Sequence, residues 1–480
     1  MSGRRWAILF ATAVVLYAGA LANGFVWDDL LTAVPARPLG DVLTERTGSW
    51  YRPLVMLSFA ADRALWGPWP PGFHATNIAL HVGVAGLLGT LCAAVGLGAG
   101  ASTAAALVFL AHPVQTEAVA YVSGRTDVLC ALFALLALLA WRQARHAFDG
   151  WAVASALAFL AALLCKEAAV LLPLVLLVPG PHPSASPPRP WLPLAASALW
   201  ALAFTTAGEH TIRLADLAAR LSAIAVAGLT YAKLLVWPSD LHLERFTAVG
   251  GWTVGITLAA WVALVALGIG LVACARRAPG GWLFLGIALL TYAPVSGVVP
   301  VYPAIADRAL FTAEHFLYLP LLGLAPLLVG FVTRTVPPRT AAALLGAVLL
   351  AWGAVVFGRI PDWRDEETLF RHTIRYDPPS ARVWFNLGNL ALRDGRLDEA
   401  ERLYREALAR EPGDGAAHLN LAITLDRRKP FTPDAEEHYR RAIASRPTLR
   451  EAYRGLAAHY AARGDMAEAR RLLAYADGMP

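Results

Sequence analysis

Lysine occurs only at Lys166, Lys233 and Lys429 in a chain of 480 residues, and charge of either sign is scarce: Asp, Glu, Lys and Arg make up 16% against 57% hydrophobic residues. The net charge of +6 is diffuse. No block of basic residues and no aromatic-interleaved basic patch is present, so nucleic-acid binding has no support. Cysteine is nearly absent too. Cys92, Cys130, Cys165 and Cys274 each lie in or beside an apolar run, and none has CxxC spacing. That excludes a zinc ribbon or a disulfide scaffold and leaves small buried apolar side chains. Gly-rich or Asp-rich nucleotide-binding signatures are missing. No complete ligand set for a divalent ion is visible, so no metal site is assigned, and metal dependence stays an open question for the sequence. The shortage of lysine beside abundant Arg and Ala points to a GC-rich genome, and hence to a bacterium.

What the chain does have is long apolar runs. They recur at about 6–22, 74–95, 101–120, 127–143, 151–178, 190–208, 217–237, 252–274, 281–299, 314–334 and 339–358, most of them near the roughly 20 residues that a helix needs to cross hydrocarbon. The run at 151–178 is interrupted by Lys166-Glu167 and reads as one broken helix or two short ones. The charges are unevenly divided. Residues 359–480 hold 21 of the 41 Lys+Arg and 20 of the 35 Asp+Glu. A multi-spanning membrane domain over 1–358, joined to a water-soluble domain over 359–480, follows. The first run resembles a signal peptide, but no small-residue cleavage site follows it and further spans do, so retention is expected. Arg4-Arg5, Arg142-Arg145, Arg276-Arg277 and Arg334-Arg339 mark cytoplasmic ends, which about eleven crossings satisfy together. Loops 23–73, 112–127, 238–251 and 300–313 then lie outside with the C-terminal domain. Pro179 to Pro190 reads as a linker between spans. Tyr51-Arg52-Pro53-Leu54 and the half-apolar residues after it read as a helix in the membrane interface.

From Arg359 the pattern becomes a 34-residue repeat. With Ala381 as position one, Trp384, Leu387, Gly388, Ala400, Tyr404, Ala407 and Pro412 fall at tetratricopeptide consensus positions. A second unit from Gly415 keeps Leu421, Ala422, Ala435, Tyr439, Ala442 and Pro447, with one residue inserted near Lys429-Pro430. A third from Arg450 keeps Tyr453, Leu456, Ala457, Tyr460, Gly464, Ala469 and Ala476, and Trp363 to Pro378 forms a preceding half unit. About three helix hairpins stack into an α-solenoid with a concave groove. Asn386 and Asn420, both at position six, line that groove, where they can hydrogen-bond an extended acceptor peptide or simply fill a polar inner face.

Chemistry concentrates in the outer loops. Asp28-Asp29 follows the first span; adjacent carboxylates repel each other and attract cations, which suits proton abstraction or cation binding better than stability. His112 to Asp127 gathers His112, Glu117, Arg125 and Asp127 in one loop. His74, Asn77 and His81 share a helical face. Lys166-Glu167 and Glu314-His315 put ionisable groups at or near membrane depth, where an unpaired charge costs several kcal/mol and such groups pair or line a polar cavity. Capping, local pairing or a satisfied core histidine accounts for each of these taken singly.

Phe25-Val26-Trp27-Asp28-Asp29, Tyr51-Arg52-Pro53-Leu54, His74 to His81, His112 to Asp127, Cys165-Lys166-Glu167 and Ala313 to Pro320 together resemble the family of transmembrane and tetratricopeptide-repeat-containing O-mannosyltransferases. They occur in that family's order, with the repeats at the same end, so the resemblance covers essentially the whole chain. The chain departs from the family in its small number of repeats, in Glu314-His315 where an acidic–Arg pair is usual, and in Gln115 where a His is usual. The resemblance implies an all-α fold: a polytopic membrane domain of the type-C glycosyltransferase kind, followed by the repeat solenoid. It implies transfer of a sugar, mannose favoured, from a polyprenyl-phosphate carrier to Ser or Thr hydroxyls of proteins outside the cytoplasm. Asp28 or Asp29 would then be the base, and the attack would proceed with inversion. Arg52, Arg125, Lys166 and His315, with Arg308 in reserve, would hold the donor phosphate. His74, Asn77, His81, His112, Glu117, Asp127 and Glu314 would give the pocket polar support. The partners expected are the lipid-linked sugar donor, an acceptor protein or peptide in the repeat groove, and the bilayer. The location expected is a bacterial inner membrane with periplasmic repeats, or an endoplasmic-reticulum membrane with lumenal repeats in a eukaryote. Two other classes compete: a non-catalytic membrane scaffold, which would not need polar groups along so many spans, and a lipid-linked glycan ligase or polymerase, which would need a larger outer loop after Val299.

Overall fold

The computed structural model describes residues 2–35, 38–44, 51–178, 189–204, 217–298 and 309–478. Most of the stretch from Pro179 to Pro190 and the reserve cation Arg308 lie outside the described residues. The chain divides into two compact units, Met1–Asp365 and Glu366–Pro480. The expected boundary at 358/359 falls seven residues earlier, because the helix Pro338–Arg359 continues into the turn Ile360–Trp363, whose Trp363 is fully buried within the first unit.

The first unit is a bundle of apolar helices. Among the described residues, seven are long and apolar enough to cross a membrane: Gly3–Ala22, Pro70–Ala94, Val122–Trp141, Ala218–Val236, Val254–Arg277, Glu314–Thr335 and Pro338–Trp363. Shorter apolar helices occupy Ala99–Ala111, Gly150–Leu163, Glu167–Leu177, Trp191–Leu202 and Gly281–Val295. These account for all eleven hydrophobic runs, and the chain is an integral multi-pass membrane protein. The run at 151–178 is broken: the α-helix Gly150–Leu163 ends, Lys166 is extended at φ −159°, and tighter helical turns resume from Glu167. Proline opens Pro53–Trp66, Pro70–Ala94 and Pro338–Arg359, where its missing N–H costs nothing. At 14 residues, Pro53–Trp66 is about 21 Å long, short of a crossing. Glycine lets helices approach closely. A Cβ on Gly86 would lie 1.9 Å from the Trp6 ring, and one on Gly323 would lie 2.1 Å from the Phe284 carbonyl oxygen. The four cysteines are unpaired.

Among the described residues, two short strands depart from pure helix. Strand β1, Arg245–Ala248, pairs antiparallel with β2, Ala309–Thr312, in the register Arg245 to Thr312 and Ala248 to Ala309. They come from loops 238–251 and 300–313, which the charge pattern put on a single face. The pairing, with Ala313 N–H donating to the Tyr231 hydroxyl at 3.2 Å, fixes where Glu314 and His315 begin.

The second unit is a solenoid of helix hairpins: Ala381–Arg393 with Leu397–Arg410, Gly415–Arg428 with Pro433–Ser445, and Arg450–Ala462 with Met466–Asp477, preceded by Glu366–Ile374. Ser380, Asp414, Thr432 and Asp465 cap the following helices by accepting from backbone N–H groups. The inserted residue near Lys429-Pro430 is absorbed by Phe431 at φ 60°, whose N–H donates to Asp426 at 3.0 Å. Leu419, Ala422, Tyr439, Ala442, Ala452 and Leu456 form one core cluster across the second and third hairpins. A Cβ on Gly455 would meet the Tyr439 ring at 2.3 Å. Gly455→Val therefore overpacks this contact by about 1–3 kcal/mol, and calorimetry of the full-length protein should show a lowered repeat-domain transition.

Candidate functional site

Five segments far apart in sequence meet at one cavity in the first unit. It has a volume of about 210 Å³ and is lined by Asp28 and Thr32, by Arg52 with Val55, Met56 and Phe59, by Glu117, Tyr121, Ser123, Gly124, Thr126 and Asp127, and by Lys166, Glu167, His315 and Phe316. That is below the roughly 300–1,000 Å³ of pockets that enclose drug-sized ligands, so it has room for a headgroup and not for a long lipid tail.

Every predicted cation on the cavity wall faces an acid. Lys166 Nζ donates to both Asp127 oxygens at 2.7 and 2.8 Å. One Arg52 guanidinium nitrogen reaches both Glu167 oxygens at 3.0 Å. His315 donates from its backbone N–H to Glu117 at 2.9 Å, and its Nδ1 lies 2.7 Å from the other Glu117 oxygen. Burial works to raise the Glu117 carboxyl, but the charge of His315, its hydrogen bonds and Arg359 outweigh it and hold Glu117 below the usual carboxylate range. The wall is thus a ring of ion pairs, with Asp28 the further carboxylate facing the space.

Asp28 and Asp29 part company. Trp27 sits at φ 55°, a strained value for a bulky residue, and the turn it makes leaves Asp28 exposed while Asp29 is fully buried. Asp29 accepts from the Ser123 amide at 2.7 Å, from the Ser123 hydroxyl at 2.6 Å and from the Val26 amide at 3.2 Å. It does not line the cavity. Burial pushes its carboxyl up to about 7 despite those donors.

Arg125 requires a correction. Its side chain has no exposed surface and lies 2.5 Å from Asp62. It also donates to Asn77 Oδ1 at 2.6 Å and to the Phe73 carbonyl at 3.0 Å, and it stands 4.8 Å from the Phe59 ring. A guanidinium saturated in this way ties three segments together and has nothing left for a phosphate in the cavity. Its partner Asp62 was missed; the available signal was a lone acid on the apolar face of Pro53–Trp66.

The other expected pocket residues also act behind the wall. Asn77 donates to the carbonyls of Tyr121 and Val122 at 3.2 Å, shaping the loop that carries Ser123. His74 Nε2 lies 3.3 Å from the Gly24 carbonyl, just before the aspartate turn. His81 bridges the Tyr318 hydroxyl at 2.7 Å and the Leu110 carbonyl at 3.2 Å. His112 reaches the Leu235 carbonyl at 3.1 Å and packs on Trp352. Glu314 is buried 3.9 Å from Arg359 and does not line the cavity. In the repeat unit, Asn420 donates to Asn389 Oδ1 at 2.8 Å, as does the Tyr404 hydroxyl, and Asn386 is half-buried. Asn389 is the residue that the repeat pattern did not single out. No group of three or more His, Cys, Asp or Glu suited to a metal ion occurs among the described residues.

These features define a class: a polytopic helical membrane protein with a charge-lined cavity and a tetratricopeptide solenoid. Comparison with known proteins goes further. The tetratricopeptide repeat family model matches residues 381–414. The chain is similar to protein O-mannosyl-transferase TMTC4 of Mus musculus, 28% identical over 83% of this chain and 66% of that one. It is likewise similar to TMTC3 of Homo sapiens, 25% identical over 92% and 55%, and to Tmtc1 of Drosophila melanogaster, 29% identical over 86% and 62%. The resemblance carried by the motifs is therefore shown over most of the chain, which spans 55–66% of the length of these relatives. Among solved structures, ArnT from Cupriavidus metallidurans bound to undecaprenyl phosphate aligns with 94% of this chain and 81% of that one, at 14% identity and a TM-score of 0.41, a likeness too loose to carry chemistry across.

Asp62→Asn leaves the buried Arg125 charge without its counter-ion, a loss of about 3–5 kcal/mol. Thermal unfolding followed by labelling of the buried cysteines should show a clearly lower midpoint; an unchanged midpoint would mean that the pair does not hold these segments.

Proposed function

We propose that this protein transfers a sugar, mannose favoured, from a polyprenyl-phosphate carrier to Ser or Thr hydroxyls of proteins, with inversion at the anomeric carbon. One observation carries the reading: a single small cavity presents the Asp28 carboxylate together with Lys166, Arg52 and His315. The similarity to protein O-mannosyl-transferases supports the reaction class.

In this reading Asp28 takes the proton as the acceptor oxygen bonds to the anomeric carbon and the bond from that carbon to the phosphate oxygen breaks. The lipid phosphate departs with the bonding electrons. Lys166 stabilises it with the ammonium donor that Asp127 leaves over, assisted by Arg52 and by His315 Nε2. Pairing keeps these side chains aimed before substrate arrives, so little reorganisation accompanies the reaction. Arg125, Asn77 and His74 are positioning residues. The repeat groove around Asn386, Asn389 and Asn420 holds the acceptor chain, and the protein works in a bacterial inner membrane with its repeats on the periplasmic side.

The test is incubation of the purified chain with a panel of polyprenyl-phosphate sugars, scoring free lipid phosphate and glycosylated acceptor. Asp28→Asn should lower turnover by about 10²–10⁴-fold at unchanged thermal stability, and Lys166→Met should lower kcat more than it raises KM. Full transfer by Asp28→Asn would sink the assignment of the base.

A further inference from the structure

The surroundings of Asp29 pose a question of proton count. Three oxygen–oxygen contacts run in series from it to the cavity. Asp29 Oδ1 lies 2.6 Å from Ser123 Oγ, Ser123 Oγ lies 2.8 Å from Thr32 Oγ1, and Thr32 Oγ1 lies 2.7 Å from the Asp28 carbonyl oxygen. Each contact needs one hydrogen, and the two hydroxyls supply only two. With Asp29 ionised, Ser123 donates to Asp29 and Thr32 donates to the Asp28 carbonyl. The contact between the two hydroxyl oxygens is then lone pair against lone pair. With Asp29 protonated, Asp29 donates to Ser123, Ser123 to Thr32, and Thr32 to the Asp28 carbonyl. Every contact is then a hydrogen bond, with no heavy atom displaced.

We propose that Asp29 is a proton-holding positioning residue: it carries a proton at the inner end of the Ser123–Thr32 hydroxyl chain in the resting protein, which leaves Asp28 the one ionised member of the pair. The chain also pins the Asp28 backbone through its carbonyl. Other groups face Asp29. The amides of Val26 and Ser123 favour the ionised form, as does Arg125, whose charge is already answered by Asp62. Tyr121 stands within reach of both aspartates; a carboxylate at the neighbouring Asp28 and, above all, complete burial favour the neutral acid. Opposed influences of this kind make a group that gives up its proton near neutrality, which fits the rise to about 7. Loss of that proton places a second negative charge beside Asp28 and removes the hydrogen from the Thr32–Ser123 contact. On the transferase reading above, on which this kinetic consequence rests, turnover falls on the alkaline side.

Infrared difference spectroscopy of the full chain in lipid nanodiscs, titrated from about pH 5 to about pH 9, tests the proton directly. A carbonyl band of a protonated carboxyl, sensitive to deuterium, should disappear near neutrality and be missing in Asp29→Asn. Thr32→Val removes the oxygen that the ionised form sets against Ser123, so it should move the titration to lower pH and carry the alkaline limb of the transfer rate with it. If Asp29→Asn does not fold, the displacement of the band by Thr32→Val decides the matter. The proposal is overturned if no protonated-carboxyl band depends on Asp29, or if Thr32→Val does not move its titration to lower pH. A band that behaves as described in a protein that turns over no lipid-linked sugar would uphold the proton and sink the transferase reading; transfer without the band would do the reverse.

Discussion

A guanidinium without exposed surface organises the functional end of the membrane unit. Arg125 meets Asp62 from the helix Pro53–Trp66 and both Phe73 and Asn77 from the helix Pro70–Ala94. Taking such a charge out of water is expensive, so the fold can hold it only where an acid and several acceptors converge. The requirement acts in both directions. It pays for itself only when all three segments are in register, and that register brings Arg52, Asn77 and the loop carrying Ser123 to fixed places. Asn77 passes the constraint on, with its oxygen on Arg125 and its amide on the carbonyls of Tyr121 and Val122.

The cavity follows the same logic at a lower degree of burial. Lys166 is placed by a helix break and neutralised by Asp127 across the gap, Arg52 by Glu167, and His315 by Glu117. Pairing of this kind keeps the cavity from being drawn towards one sign of charge. The strained turn at Trp27 adds asymmetry to two adjacent acids. One is delivered to the cavity, and the other is buried against Ser123, so their chemistries separate by environment although their side chains are identical.

The repeat unit depends on a different constraint. Its helices are amphipathic and short, each hairpin needs a neighbour to cover its apolar face, and small residues such as Gly388 and Gly455 seat the rings of Tyr404 and Tyr439. Because the repeat is local, its period exposed almost everything about it in advance, including the half unit before Ala381. The one-residue insertion was visible as a shift in spacing, and the left-handed backbone at Phe431 that absorbs it was not.

The amino-acid sequence by itself determined the number and place of the apolar segments, the division into a lipid-embedded and a soluble unit, the repeat register, and the set of polar residues that end up at one pole of the bundle. Those follow from hydropathy and period, which are properties of neighbours along the chain. Tertiary structure alone decided which of those polar residues face space and which face each other. Arg125 and Lys166 look equivalent as lone cations beside apolar runs, yet one is consumed by Asp62 and the other stands at the cavity. Asp28 and Asp29 are indistinguishable as a pair until the turn at Trp27 separates them. Partner choice among buried charges is settled by distances between segments more than 30 residues apart, and no local pattern records those distances.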